Sequence, residues 1–365
     1  MTNRLVIRNV LHRPIRSGLS VLAIAVEVAM ILLIVGLADG LLYDSQQRTR
    51  GVGADILIRP STSGALMSLS TADIPEKLID RLIQEYPEIE LAIGTTLISE
   101  GDLQTITGVD WRKFEAMTGG IRYLEGAPME GPFDAIVDEV YARYKKVHAG
   151  DVVRLLNQDF RVVGVIETGK MSRVFIPRST MQELMGWQGK LSQIFLKLKN
   201  PPETQQVVEK IKILLPSYPV YAMEDFLSQV ASGVREVSSQ FVNAIVGIAV
   251  VIGFLVVLLS MYTAILERTR EIGILKSLGA SRGWIVGIVL RETVIVCLAG
   301  IAAGVAISYG AREAVRALFP LLSILIAPDW LAWSALIAVV GALFGALYPA
   351  TRAARHDPIH ALTYD

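Results

Sequence analysis

Four long apolar stretches constrain the fold of this chain more than any other feature of its sequence. A helix that crosses the roughly 30 Å hydrocarbon core of a membrane needs roughly 20 consecutive, mostly apolar residues. The stretches that meet this requirement lie at residues 19–42, 241–266, 284–309 and 330–348. Hydrophobic residues make up 52% of the chain, which exceeds the roughly 45–50% that is usual for soluble domains. We therefore expect an α-helical membrane protein with four transmembrane helices.

The distribution of basic residues predicts which segments lie in the cytoplasm. Cytoplasmic segments that flank membrane helices are enriched in Lys and Arg, and such residues are concentrated in segments 1–18, 267–283 and 349–365. We expect these segments inside, and segments 43–240 and 310–329 outside. The first stretch follows a basic leader, as a cleaved signal peptide would, but its apolar core is longer than a usual signal core, which favours an uncleaved span.

Segment 43–240 is long enough to fold around a core of its own. From Ala54 onwards, short runs rich in β-branched residues are broken by Gly and Pro and alternate with amphipathic helical patterns, which is typical of a mixed α+β domain. Before the second span, apolar residues recur every three or four positions and predict a helix that continues outward as a stalk. That stripe consists of Phe226, Val230, Val234, Val237 and Phe241. The first span predicts a second stalk that stops near Gly51, and a short exposed linker helix is the alternative to paired stalks.

No residue pattern in the sequence predicts catalysis. The segment "GVIETGKM", residues 164–171, is close to a phosphate-binding loop, but Met171 stands where that loop needs a hydroxyl group for magnesium. A strand-turn-strand corner explains the segment better. His356 and His360 have the spacing of helical metal ligands, but Pro358 lies between them and no acidic partner completes the pattern. The net charge of zero gives no overall field for nucleic acid, so we expect no enzyme activity, metal, cofactor or nucleic-acid partner.

Two charged residues, Glu27 and Arg291, lie inside the apolar stretches. A charge inside hydrocarbon is costly unless it is paired or hydrated. Each residue lies about ten positions, or roughly 15 Å of helix, beyond the basic residue at the cytoplasmic end of its stretch. Because equal depth permits a contact, we predict an interhelical ion pair between them. Snorkelling side chains, a water-filled groove and an ion pathway are the open alternatives.

The segment between the second and third spans is short, charged and helical in pattern. Ile272, Leu275 and Leu278 recur along one side, Gly279 predicts the end of the helix, and Ser281 predicts the cap of the next helix. A helix of this length cannot span a bilayer, but it can lie at the cytoplasmic surface. The residues alone leave two interpretations open: a helix that docks into a groove of a partner, and an interfacial helix that stabilises the turn between two spans.

Four segments resemble one known family. "LERTREIGILKSLGAS", residues 266–281, and the tail "YPATRAARHDPIHALTYD", residues 348–365, are similar to segments of the FtsX/MacB-like ABC transporter permeases. "GDVVRLLNQDFRVVGVIETG", residues 150–169, and "FIPRSTMQELMG", residues 175–186, resemble the periplasmic core domain of that family. The family transmits motion across the membrane (type VII, mechanotransmission) and includes the lipoprotein-releasing permeases. The resemblance covers almost the whole chain in order.

The resemblance implies that residues 267–283 form a coupling helix that contacts a separate ATPase subunit. The residues that fall in this contact are Glu267, Arg268, Arg270, Glu271, Gly273, Leu275, Lys276, Leu278 and Gly279. ATP would be bound by that partner, because the ATPase domain that macrolide exporters carry before the first span is not expected here.

The same resemblance implies four transmembrane helices plus a large α+β extracytoplasmic domain, in the bacterial cytoplasmic (inner) membrane. The chain would pair with a second permease copy or a paralogue, contact membrane lipid, and pass ATP-driven motion to the extracytoplasmic domain. We expect export of a small amphipathic molecule or lipid, with a place for a periplasmic adaptor protein. Lipoprotein release, ATP- or ligand-gated regulation of a cell-wall hydrolase, and a sensor without an ATPase are the alternatives.

Overall fold

The structure, a computed structural model, describes residues 14–60, 72–100, 104–267 and 269–355. The chain divides into two compact units. The first draws on Met1–Gly40, Ser238–Leu318 and Ile324–Asp365, and the second on Leu41–Val237 and Phe319–Ser323.

The helices and strands are numbered along the chain. The helices are α1 (Pro14–Arg50), α2 (Lys77–Glu85), α3 (Trp111–Met117), α4 (Glu139–Lys145), α5 (Arg178–Met185), α6 (Thr204–Leu214), α7 (Met223–Glu267), α8 (Thr269–Ser277), α9 (Arg282–Leu318) and α10 (Pro328–Arg355). The strands are β1 (Ile56–Ile58), β2 (Ile74–Pro75), β3 (Ile89–Glu100), β4 (Gln104–Val109), β5 (Tyr123–Gly126), β6 (Asp134–Asp138), β7 (Val152–Leu155), β8 (Gln158–Ile166), β9 (Val174–Pro177), β10 (Lys190–Leu191), β11 (Gln193–Leu198) and β12 (Val220–Ala222).

Helices α1, α7, α9 and α10 are each long and apolar enough to cross a membrane, which confirms the four predicted spans. Every one of them extends beyond its apolar stretch, because backbone hydrogen bonds continue a helix through polar residues that hydropathy does not mark. The extension is longest in α7, which is continuous from Met223 through the stripe Phe226–Phe241 to Glu267. Both α1 and α7 contribute residues to both units.

Helix α9 packs closely on α1 because two glycines of α9 have no side chain there. A Cβ atom at Gly300 would lie 2.7 Å from the Cβ atom of Ile24, and one at Gly304 would lie 2.7 Å from the carbonyl oxygen of Ala25. These distances are shorter than van der Waals contact, so a larger residue does not fit without a shift of the helices. The small-xxx-small spacing therefore marks a helix contact within the chain.

The second unit is a mixed α+β domain, as predicted. Ten strands form one sheet in the order β12-β1-β11-β3-β4-β9-β6-β8-β5, with β7 also paired to β8, and β10 pairs separately with β2. Strands β4 and β9 run parallel, as do β6 and β8, while the other pairs are antiparallel.

Apolar clusters join the helices of the second unit to its sheet. Helices α2 and α6 place Leu82 and Ile211 in one cluster with Ile194 of β11. Helix α3 contributes to another, in which the ring of Trp111 lies 5.6 Å from that of Phe175 on β9. Burial of such side chains from water stabilises the sheet by roughly 1.5–3 kcal/mol for each large one.

Replacing Gly304 with Leu is expected to destabilise the first unit, because overpacking a close contact costs about 1–3 kcal/mol. The measurement is the midpoint of thermal unfolding of the detergent-solubilised protein. Gly310→Leu, on the same helix, is the matched control, since no atom lies within 4 Å of a Cβ at that position. Equal stability of the two variants would contradict the packing.

Candidate functional site

Local hydrogen bonds fix the end of helix α8 and the start of helix α9. The N–H group of Ala280 donates to the carbonyl oxygen of Leu275 at 3.0 Å, and that of Gly279 donates to Lys276 at 3.0 Å. Gly279 has φ +92°, the left-handed conformation that this Schellman ending requires. The Oγ atom of Ser281 then accepts the N–H of Trp284 at 3.3 Å and caps α9. The predicted stop and the predicted cap are both confirmed.

The residues of helix α8 differ in how far the rest of the chain covers them. Ile272 and Leu275 are half-buried and Gly273 is buried, whereas Ile274 is 45% exposed and Leu278 79% exposed. Of the predicted face of Ile272, Leu275 and Leu278, Leu278 is therefore the most exposed member, and it lies beside Ile274. The docking of this face on a partner stays a prediction.

Ile272 and Leu275 border a small cavity together with helices α7 and α9. The cavity has a volume of about 110 Å³, and α7 lines it with Met261 while α9 lines it with Val289. Its walls are mostly apolar, so α8 rests on side chains of both neighbouring helices. Side chains of α7, α8 and α9 therefore meet around this cavity.

The other residues of the predicted coupling contact lie at or near the surface of α8. Glu267, Glu271 and Gly279 are exposed, and Lys276 is half-buried. Arg268 and the side chain of Arg270 lie outside the described residues. Sequence reasoning missed Ile274, although its spacing of four residues from Leu278 places the two on one helical face.

The segment that resembles a phosphate-binding loop has a different structure. Residues 164–171 run from the end of β8 into the turn before β9, and no helix follows them. Gly169 has φ +100° in this turn. The strand-turn-strand interpretation is confirmed, and the segment lacks the loop-to-helix geometry that would hold a phosphate.

The predicted ion pair between Glu27 and Arg291 is not formed within the described residues. Glu27 is 6% exposed, and its Oε1 atom has no hydrogen-bond partner. Its carboxylate lies against α7, where a methyl group at Gly253 would collide with it. Arg291 is exposed, and its neighbour Glu292 is the residue that α9 buries. The prediction failed because depth along a helix does not fix the direction in which a side chain points.

Two family models match this chain in sequence order. The MacB-like periplasmic core domain matches residues 17–214, and the FtsX-like permease C-terminal region matches residues 243–358. The chain belongs to this family of ABC transporter permeases. The predicted resemblance is thereby confirmed, and four apolar helices in a permease imply a multi-pass membrane protein.

Relatives of known name agree with the family. An uncharacterized ABC transporter permease, YknZ of Bacillus subtilis, is 26% identical over 99% of this chain and 98% of its own length. The macrolide export ATP-binding/permease protein MacB of Escherichia coli is 26% identical over 96% of this chain. The chain spans only 58% of that MacB protein.

Solved structures of related domains show a weaker similarity. The periplasmic region of MacB from Actinobacillus actinomycetemcomitans has 14% identity and a TM-score of 0.38, over 50% of this chain and 95% of that one. The extracellular domain of YknZ from Gram-positive bacteria has 13% identity and a TM-score of 0.34, over 46% of this chain and 98% of that one.

Glu27→Gln and Arg291→Gln are expected to have independent effects on stability, because the two side chains do not meet. Effects of separate sites add within about 0.3–0.5 kcal/mol. The free energy of unfolding of both single variants and the double variant in detergent measures the coupling. A coupling energy above about 1 kcal/mol would restore the predicted pair.

Proposed function

We propose that this chain is the permease subunit of an ABC exporter and that a separate cytoplasmic ATPase docks on helix α8. The observation that carries the proposal is the exposed apolar pair Ile274 and Leu278 at the end of a short helix that is fixed by Gly279. We call these three residues the coupling surface.

The coupling surface has the chemistry of a docking site. Leu278, which is 79% exposed, packs little against the described part of the chain, and an apolar side chain on a helix is suited to a groove of a partner. Glu271, also exposed, adds charge at its edge, as is usual for the polar rim of an interface. The rest of α8 is anchored on α7 and α9, so force applied to the coupling surface reaches both helices.

Two observations support a cytoplasmic position for α8 and a partner subunit as the site of ATP hydrolysis. Basic residues in segments 1–18, 267–283 and 349–365 favour the cytoplasm for α8. The near-match to a phosphate-binding loop is a turn between strands, which supports a partner as the site of hydrolysis. Nucleotide-driven movement of that partner would then displace α8, and α7 would carry the displacement to Met223 as one continuous helix.

The substrate that we propose is a small amphipathic molecule or lipid, exported across the bacterial cytoplasmic membrane. Support comes from the relative MacB of Escherichia coli, a macrolide export protein, and this favours export over lipoprotein release or control of a cell-wall hydrolase. We further propose a pair of permeases, as two copies or two paralogues, with a periplasmic adaptor protein as an additional partner.

Leu278→Asp is expected to lower the yield of ATPase that copurifies with the chain by at least about tenfold, as loss of a central apolar anchor does. Ile213→Asp is the matched control, because Ile213 is an aliphatic residue that is 82% exposed on α6. The ATPase is identified by mass spectrometry and quantified against the permease. An unchanged yield from Leu278→Asp would refute the coupling surface.

The proposed orientation predicts opposite labelling of two single-cysteine variants, Lys145→Cys and Ser277→Cys, in a Cys297→Ala background. An impermeant maleimide should modify position 145 on cells whose outer envelope is permeable, and position 277 only after the inner membrane is opened. Both residues are solvent-accessible in the structure. Labelling of both positions from the same side would exclude the proposed topology.

A further inference from the structure

The turn between β8 and β9 holds the end of helix α1. The N–H group of Met171 donates to the carbonyl oxygen of Arg48 at 2.7 Å, so the turn satisfies one of the carbonyl groups that a helix leaves open at its C-terminus. A methyl group at Gly51 would collide with the carbonyl oxygen of Gly169, which shows that the two backbones are in direct contact. These residues all belong to the second unit. We call residues 167–173 the helix socket.

Arg173, the last residue of the helix socket, bridges α1 and the sheet. Its Nη2 atom lies 3.0 Å from Asp44 Oδ2 on α1, and its Nη1 atom lies 3.4 Å from Asp138 Oδ2 at the end of β6. The side chains of Arg173 and Asp138 are 7% and 2% exposed. Arg48 adds a further contact to Asp44 at 3.2 Å. A row of charges of alternating sign therefore leads from Arg48 and Asp44 on α1, through Arg173, to Asp138 on β6.

Asp138 is held firmly on the strand side of this bridge. Its Oδ1 atom accepts the N–H of Tyr141 at 2.7 Å, and its Oδ2 atom accepts the hydroxyl of Thr168 at 3.1 Å. Burial raises the pKa of the Asp138 carboxyl, whereas the Tyr141 N–H and the Arg173 guanidinium oppose that rise. A carboxylate with these partners has little freedom to reorient, so the position of Arg173 is set by the sheet.

A guanidinium suits this bridge better than an ammonium. Arginine presents several donors in a rigid planar fork, whereas the lysine ammonium is a single point charge on a flexible chain. Because Arg173 uses two different nitrogens for two carboxylates, we expect a lysine, whose donors all lie on one nitrogen, to hold the two carboxylates less rigidly. A buried, hydrogen-bonded pair also restricts geometry more than a solvated one. Arg50 and Glu224 provide the contrast, since their pair is 3.1 Å long but 52% and 75% exposed.

We propose that Arg173 is a positioning residue that fastens helix α1 to strand β6, so that a displacement of α1 moves the sheet as one body with it. The inference rests on the proposed function, in which ATP-driven motion reaches the second unit through helices. The segment that resembles a phosphate-binding loop forms most of the helix socket, so its role in this proposal is to hold the end of α1.

The test measures the distance between spin labels at Gln47→Cys on α1 and Lys145→Cys at the end of α4, in a Cys297→Ala background. Gln47 and Lys145 are exposed and lie in the second unit. The full chain in nanodiscs, with its copurifying ATPase, is measured by pulsed electron resonance without nucleotide and with ATP and vanadate. We expect one narrow distance distribution that nucleotide does not shift.

Arg173→Lys keeps the positive charge beside Asp44 and Asp138, so this variant is expected to fold. Because lysine lacks the planar fork of arginine, we expect the distance distribution to widen at least about twofold. Asp44→Asn should widen it similarly from the helix side, and both variants are checked for an unchanged circular dichroism spectrum. Arg50→Gln, which breaks the exposed pair at the same end of α1, is the matched control and should leave the distribution narrow.

A narrow distribution in both Arg173→Lys and Asp44→Asn, or a distance in the native sequence that shifts with nucleotide, would overturn the proposal. Failure of the proposed function gives a different result, since no ATPase would then copurify. The widths measured without nucleotide would still show whether Arg173 fastens α1 to the sheet.

Discussion

The peptide group's need for a hydrogen-bond partner in hydrocarbon is the constraint on which this structure depends. Unsatisfied backbone groups cost several kcal/mol each in the core of a bilayer, so a crossing segment has to be helical. In this chain the helices do not stop where hydrocarbon would end: α1 continues to Arg50, and α7 begins at Met223. Both helices therefore contribute residues to both units.

Close approach of backbones organises the membrane unit once its helices exist. Apolar helices gain little from hydrophobicity against lipid, and van der Waals packing at small residues replaces it. Gly300 and Gly304 bring α9 against α1, and Gly253 leaves space on α7 for the carboxylate of Glu27. Glu27 thus fills a gap in a helix contact instead of meeting an opposite charge. The second unit uses charge differently, because Arg173 connects the buried carboxylate of Asp138 to the partly exposed carboxylate of Asp44.

Features that depend on neighbouring residues in the chain could be predicted from the sequence. The direction in which a side chain or a helix face points could not. Long apolar stretches gave the spans, and Gly279 and Ser281 gave the end of α8 and the cap of α9, because backbone conformation and capping depend on neighbouring residues. The exposure of Ile274 was not predicted, since apolar residues occur on several sides of α8 and packing on α7 and α9 decides which of them is covered. The contact of Gly169 and Met171 with the end of α1 could not be predicted either, because the residues of α1 lie more than a hundred positions earlier in the chain.

The cavity of about 110 Å³ beneath α8 leaves free volume next to Ile272 and Leu275. Protein interiors are close-packed, with few voids larger than a water molecule. Side chains that border this cavity therefore have room to change rotamer without displacement of the helix backbones, which makes the contact of α8 with α7 and α9 more adaptable than a filled one.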